Sequence, residues 1–387
     1  MIEMLERYIA IDTSYPSYDY DAAIALFIRQ ARAAGLNSSR ITLSSGLPAL
    51  VITLAGSDSS LPALALNHHM DVVAASHRDG WVNDPFTATI REGALIGRGA
   101  QDMKSVGVIH FAALCAFKKQ HGTPQRTIHL IMVPHEEMGG FQGTACLLNH
   151  ALFKDLRVGY VVDEGMPSGD KSCLYVVTAQ RAPLHVRITA RGTTAHAACL
   201  SAHNPVHELI EVVRTLAEKH RAQQAQAATN DPGLLYSYNV TSFTAGSEHT
   251  TNVIPAQASA IIDIRIPPET DFESVTNELS ALCASYVGVT YEIIAQGITG
   301  LPIITQQNPL YQAIAQAAQQ HGLATQPHYF QTSSDARFYL QRAITAIGFT
   351  PFTGMPNPHG VNESVSLEDL ERGKEIMLTL LELFCKK

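Results

Sequence analysis

Residues 127–140 read TIHLIMVPHEEMGG. An apolar run about one strand long stops at Pro134 and delivers His135, Glu136 and Glu137 ahead of Gly139 and Gly140. A run that is apolar on both faces marks a strand covered on both sides, as in a parallel sheet packed between helices. Two adjacent carboxylates at the end of such a strand repel each other and cost free energy to bury, so something positive must compensate them.

The same grammar extends outward. Strand-like runs at LPALALNHHMDVV and VGYVVDEG alternate with helical patterns that open at Ile2 and continue at AAIALFIRQARAAG, SVGVIHFAALCAFKKQ and the segment after GFQGTACLLN. That alternation predicts an α/β layer around a mainly parallel sheet. From Ala182 the order changes to strand (LHVRITARG), helix (203–222), two alternating strands (LYSYNVTSFTAG, ASAIIDIRI), helix (FESVTNELSALCASY) and strand (GVTYEIIA). This is the split βαβ, ferredoxin-like pattern. The Gln-Ala stretch at 222–229, followed by Asp231-Pro232-Gly233, reads as a loop inside it. After residue 297 the α/β pattern resumes, with a helix at LYQAIAQAAQQHG, a strand at ITAIGF and a last helix capped at Ser366 to Asp369. The expected organisation is a catalytic domain in two parts, 1–181 and 297–387, interrupted by an inserted domain at 182–296.

A net charge of -8 argues against a nucleic-acid surface or an anionic membrane surface, since both need a basic face. The start, MIEMLERYIAIDTSYPSYDYD, lacks the basic and apolar regions of a secretory signal, and no apolar stretch reaches membrane-spanning length. Six cysteines stand far apart with no C-x-x-C pair. Together these predict a cytoplasmic protein with reduced thiols.

Residue types that ligate metals cluster at strand ends. His69 and Asp71 lie two apart, on one face of a strand, where a carboxylate can orient a metal-bound imidazole. In GRGAQDMKS (97–105), Met103 and Asp102 stand where phosphate-binding fingerprints need glycine, so Gly97 and Gly99 read as a turn that presents Asp102. His135-Glu136 fails the H-E-x-x-H pattern because residue 139 is glycine. Asp163-Glu164 follow an apolar strand, and His359 sits in NPHGVNESV with Glu363 four residues on. His, Asp, Glu, Glu and His make a ligand set for two zinc-like ions that share one carboxylate.

On GRGAQDMKS, RTIHLIMVPHEEMGGFQG, VDEG and TTNVIPA, the chain resembles the dinuclear zinc amidohydrolases, the family of aminoacylase, succinyl-diaminopimelate desuccinylase, acetylornithine deacetylase and glutamate carboxypeptidase. The aminoacylase branch is the nearest in motif. The resemblance implies two divalent cations, zinc first, with cobalt or manganese as alternatives. It makes His69 and Glu164 ligands of one ion, His359 and Glu137 ligands of the other, and Asp102 the bridge. Asp71 becomes the partner of His69, and Glu136 the general base. The inserted domain becomes a lid and dimerisation domain. Its His196 would serve the partner subunit's oxyanion in a homodimer, Asn252 and Arg265 would help grip substrate, and Arg337 would bind the substrate carboxylate.

The resemblance implies hydrolysis of N-acyl-L-amino acids or a dipeptide. Desuccinylation and acetylornithine deacetylation are rivals within the family, and an inactive metal-binding or assembly protein is a rival outside it. No G-x-S-x-G elbow supports a serine hydrolase. His135 stands where aminoacylase relatives usually carry Asp, next to the base, and Gln180 stands where they often carry Glu.

Overall fold

In the segments Ala63–His69 and Ile128–Val133 every residue is buried, as continuous apolar strands in a parallel sheet must be. They are neighbours in a computed structural model that describes residues 1–200, 203–247, 249 and 251–386. His69 pairs with Val133 and Leu66 with Val162 in parallel register, and Thr345–Phe349 continues the parallel set beside Val158–Asp163. The C-terminal ends of three neighbouring strands therefore share one sheet edge, which is where α/β proteins place their chemistry.

This sheet has eight strands, in the order Asn37–Thr42, Pro48–Leu54, Ile128–Val133, Ala63–His69, Val158–Asp163, Thr345–Phe349, Cys173–Gln180 and Ala324–Phe330. The first two form an antiparallel hairpin that pairs antiparallel with Ile128–Val133. The outer strand of that hairpin, NSSRIT, buries only Ile41, so it carries no apolar run to reveal it. The helix Lys104–His121 packs on the Ala63–His69 strand and on the helix Leu367–Cys385. Ser366 caps the latter by accepting the N–H of Asp369. Leu64, Leu66, Ile109, Leu130, Ile347, Ile376 and Leu380 belong to one continuous core, each fully buried.

The chain divides into two compact units. One is Met1–Thr178, Ile304–His328 and the segment from Ser334 onward; the other is Ala179–Ile303 with Tyr329–Ser333. The second contains a four-stranded antiparallel sheet ordered Ser237–Ala245, Gln257–Ile266, Ala182–Arg191, Val289–Gln296. Numbered along the chain, that order is 2-3-1-4, the arrangement of the split βαβ fold. Alternate residues of Gln257–Ile266 are buried, and Val186, Ile188, Ile262 and Ile264 form a core with Leu209, Val212 and Leu279 of the helices Pro205–Gln226 and Phe272–Ala284. The first of these helices runs to Gln226, so residues 222–226 are helical rather than the expected loop. Alanine and glutamine favour helix, and no breaker intervenes before Asp231.

No described helix is long and apolar enough to cross a membrane. The six cysteines are unpaired.

Candidate metal centre

Strand geometry delivers the first ligands. His69 is the last residue of its strand, Glu164 follows Val158–Asp163, and Glu136 and Glu137 stand in the turn after Ile128–Val133. Asp102 arrives from the loop before the helix Lys104–His121, where Gly99 adopts φ +89°, a conformation that a side chain would strain. His359 comes from the segment before the short strand Ser364–Ser366. All of these residues belong to the first unit.

The five predicted ligands converge as two trios. His69 Nε2 lies 3.0 Å from Asp102 Oδ1 and 3.0 Å from Glu164 Oε2. His359 Nε2 lies 3.2 Å from Asp102 Oδ2 and 3.0 Å from Glu137 Oε2. Within each trio the donor atoms lie within 4.8 Å of one another. Asp102 thus turns one oxygen to each trio, as a bridging carboxylate does.

Asp71 orients the site in two ways. Its backbone carbonyl meets His69 Nδ1 at 2.8 Å, which leaves Nε2 to face the carboxylates. Its carboxylate, 3.8 Å from that imidazole at Oδ1, accepts the backbone N–H groups of Glu136 at 3.1 Å and Glu137 at 2.9 Å. One buried side chain therefore holds the turn that carries both glutamates.

The electrostatics fit a pair of cations. Burial, then the neighbouring Asp102, pushes Glu164 up to about 8. Burial and Asp102 also raise Glu137, whose buried Oε1 has no hydrogen-bond partner. Burial opposes protonation of His69, but Asp102 and Glu164 outweigh it and hold the ring well above the usual histidine range. Hydrogen bonds to Asp102 and Glu137 raise His359 to about 10. Buried carboxylates short of positive charge, whose negative charge also holds both imidazoles protonated, make a donor set that two divalent cations would neutralise.

Glu136 is in neither trio. Its Oε1 stands 3.5 Å from Arg337 Nη1. Burial raises its pKa well above the carboxylate range, and Glu164 and Asp335 add to the effect while His69 and Arg337 oppose it. His135 is not among these influences; its backbone sits at φ +71° and its carbonyl accepts the N–H of Gly140. Arg337 is itself buried, donates to the carbonyls of Ser334 and Gly139 (2.7 Å to the latter), and lies over the ring of Phe338. Its guanidinium is directed at the loop that carries Glu136.

The second unit holds the other predicted residues. His196 pairs with Val253, and the carbonyl of Asn252 accepts the N–H of Ala197 at 2.8 Å, so these two positions lie together. Arg265 grips Asp263 through two bonds of 2.8 and 2.9 Å. It stands near the far end of the strand Gln257–Ile266, roughly 25 Å along it at ~3.3 Å per residue. Gln180 is buried where its strand enters the unit.

Two buried polar groups beside the centre were given no role by the sequence reading, although Asp163 and Glu363 were named in it. Asn67, Asp163 and Tyr339 form a buried chain, with Asn67 donating to Asp163 at 2.8 Å and Tyr339 to Asn67 at 3.0 Å. Glu363 and Arg98 form a buried ion pair of 2.7 Å beside Asp102. The only sequence signal for either was a polar residue inside or next to an apolar strand.

Comparisons agree with this geometry. Residues 65–383 match the peptidase family M20/M25/M40. Mouse (Mus musculus) aminoacylase-1 is 33% identical over 390 residues, covering 98% of this chain and 94% of the relative. A succinyl-diaminopimelate desuccinylase of Bordetella petrii is 29% identical over 325 residues, covering 83% of this chain and 82% of the relative. A crystal structure of an M20 family metallo-carboxypeptidase from Sulfolobus solfataricus superposes with a TM-score of 0.75 at 17% identity, covering 99% of this chain and 98% of that one. With a matching family over most of its length and a set of metal-binding side chains at the expected sheet edge, the chain belongs to the hydrolases of peptidase family M20/M25/M40.

Proposed function

We propose that the chain hydrolyses the amide bond of N-acyl-L-amino acids, releasing a carboxylate and a free amino acid. The observation that carries this reading is the position of Glu136, a buried carboxylate beside five convergent donors but in neither trio. Two divalent cations held by those donors, zinc before cobalt or manganese, would acidify a water and polarise the amide carbonyl. Glu136 takes the proton of the attacking water and returns it to the departing amine. The aminoacylase relatives favour an N-acyl amino acid over a longer peptide.

His196 stabilises the developing oxyanion, Asn252 and Arg265 help grip the substrate, and Arg337 binds the substrate carboxylate. Their placement supports a homodimer. Arg265 stands toward the end of the strand Gln257–Ile266 away from the His196–Asn252 pair, so in this reading His196 and Asn252 serve one subunit's substrate and Arg265 the other's.

The test is a substrate panel on zinc-loaded protein: N-acetyl-L-methionine and other N-acetyl amino acids, N-succinyl-diaminopimelate, N-acetylornithine and dipeptides. Faster turnover of the N-acetyl amino acids is expected. Preference for the succinyl compound or for dipeptides would move the assignment within the family. Zinc binding without turnover of any of them would replace it with a binding role.

A further inference from the structure

Glu363 contributes no ligand, yet it is fully buried and every acceptor site on its carboxylate is used. Oε2 accepts from Arg98 Nη1 at 2.7 Å and from the N–H of Gly99 at 3.1 Å. Oε1 accepts the backbone N–H groups of Gln101 at 2.6 Å and Asp102 at 3.0 Å. One carboxylate thereby sets the backbone of the loop that ends at Asp102.

Arg98 carries the connection further. Its Nη2 donates to the backbone carbonyl of His359 at 3.1 Å, and His359 sits at φ +63°, a left-handed conformation that a non-glycine residue keeps only when its surroundings hold it there. Gln101 adds a second tie, donating to the carbonyls of Ser364 at 2.8 Å and Met355 at 3.2 Å while accepting the N–H of Asn357 at 2.9 Å. Asp102 Oδ2 and His359 Nε2 supply two of the three donors of one trio, and both come from loops. The other trio draws His69 and Glu164 from strand ends, which the sheet already fixes.

We propose that Glu363, acting through Arg98, is a positioning residue that sets the separation of Asp102 and His359. It thereby governs the affinity of the His359 cation place more than that of the His69 place. This rests on the reading of the five donors as a two-cation site. Partners of ligands are typically worth ~10- to 100-fold in metal affinity. Here the loss should fall on one place of two, which a general loosening of the fold would not produce.

The experiment is calorimetric titration of metal-free protein with Zn²⁺, comparing wild type with Glu363→Gln, Arg98→Lys and His359→Ala. Glutamine keeps the shape but loses the charge and turns an N–H₂ group toward backbone donors. Arg98→Lys keeps the charge but cannot bridge to His359, and it carries the test if Glu363→Gln fails to fold. The single tryptophan, Trp81, lies 5.1 Å from the Arg98 guanidinium and is buried, so its emission reports the brace independently of metal. Two zinc sites are expected in wild type. Both brace variants should keep one site at wild-type affinity, weaken the other by ~10- to 100-fold toward the His359→Ala isotherm, and shift Trp81 emission in the metal-free state. Equal weakening of both sites, or none, overturns the positioning role. Fewer than two zinc sites in wild type overturns the two-cation reading on which it stands.

Discussion

Asp71 meets Glu137 through the backbone: its Oδ2 accepts the Glu137 N–H at 2.9 Å, while its own carbonyl, rather than its carboxylate, meets His69 Nδ1. The side chain that motif reasoning paired with the histidine mainly holds the turn that carries Glu136 and Glu137. Asp71→Asn should leave the orientation of His69, and hence zinc at that place, nearly unchanged. Turnover should fall ~10- to 100-fold because one of the two turn amides loses its acceptor. Metal analysis beside kcat checks this; loss of one zinc equivalent with little further loss of activity per metal would contradict it.

Glu136→Gln removes the proton acceptor but none of the five side chains that supply the six donor atoms of the two trios. Turnover should drop by ~10²- to 10⁴-fold with both metal ions retained. Near wild-type kcat in the zinc-loaded variant would mean that the base is another group.

Subunit exchange tests the shared-site arrangement. His196→Ala and Glu136→Gln should each be nearly inactive alone, since each damages both sites of a homodimer. After mixing and re-equilibration, some dimers carry one site with intact Glu136 and an intact His196 from its neighbour. Recovery of activity in the mixture is expected, and its absence under conditions where subunits exchange argues against His196 acting across subunits.

Gly107 lies in the interior of the helix Lys104–His121, where alanine ordinarily stabilises by ~0.5–1 kcal/mol. Here the sign reverses. A Cβ at this position would stand 2.4 Å from His68 Cδ2, in a ring that is itself fully buried and packed near Phe27 and Tyr8. Gly107→Ala should destabilise by ~1–3 kcal/mol. Denaturant unfolding of the metal-free protein measures it, and a stabilised variant would show that the helix can shift away from the sheet.

His110 is fully buried on the same helix, and neither ring nitrogen has a hydrogen-bond partner. Burial lowers its pKa to about 3. The folded state keeps the ring neutral, whereas the unfolded chain takes up a proton as pH falls below ~6.5. The stability associated with the neutral ring is therefore complete above pH ~6.5 and lost as pH falls toward 3, by up to ~1.4 kcal/mol per pH unit. His110→Leu should flatten the decline of unfolding free energy between pH 6.5 and 4; an unchanged slope would show that other groups set it.

The fold was legible where chemistry and period coincide. Ile128–Val133 and Ala63–His69 carry continuous apolar runs because helices cover both faces, and the order of elements from Ala182 spells the inserted sheet. The outer strand of the hairpin Asn37–Leu54 was not legible because it is solvated and polar, whereas its inner strand, Pro48–Leu54, is a buried apolar run that the sequence reading passed over. The five convergent donors could be picked out because each is a metal-binding residue type standing where a strand or turn ends. Glu363 could not be assigned: its four donors are three backbone N–H groups and one arginine 265 residues away in sequence. Arg337 stood out by its motif alone; that its guanidinium faces Glu136 and the Gly139 carbonyl, far away in sequence, no local pattern shows.

The shared carboxylate of Asp102 also gives the centre a direction in time. His69, Asp102 and Glu164 all precede the second compact unit in the chain, whereas His359 follows it. A ribosome making the protein supplies all three residues of one trio more than a hundred residues before the last member of the other, but domains fold as units, and this one needs segments on both sides of the inserted sheet. Because Glu363, which sets the Asp102 loop, follows His359 in the chain, neither trio has its final geometry until that last segment has been made.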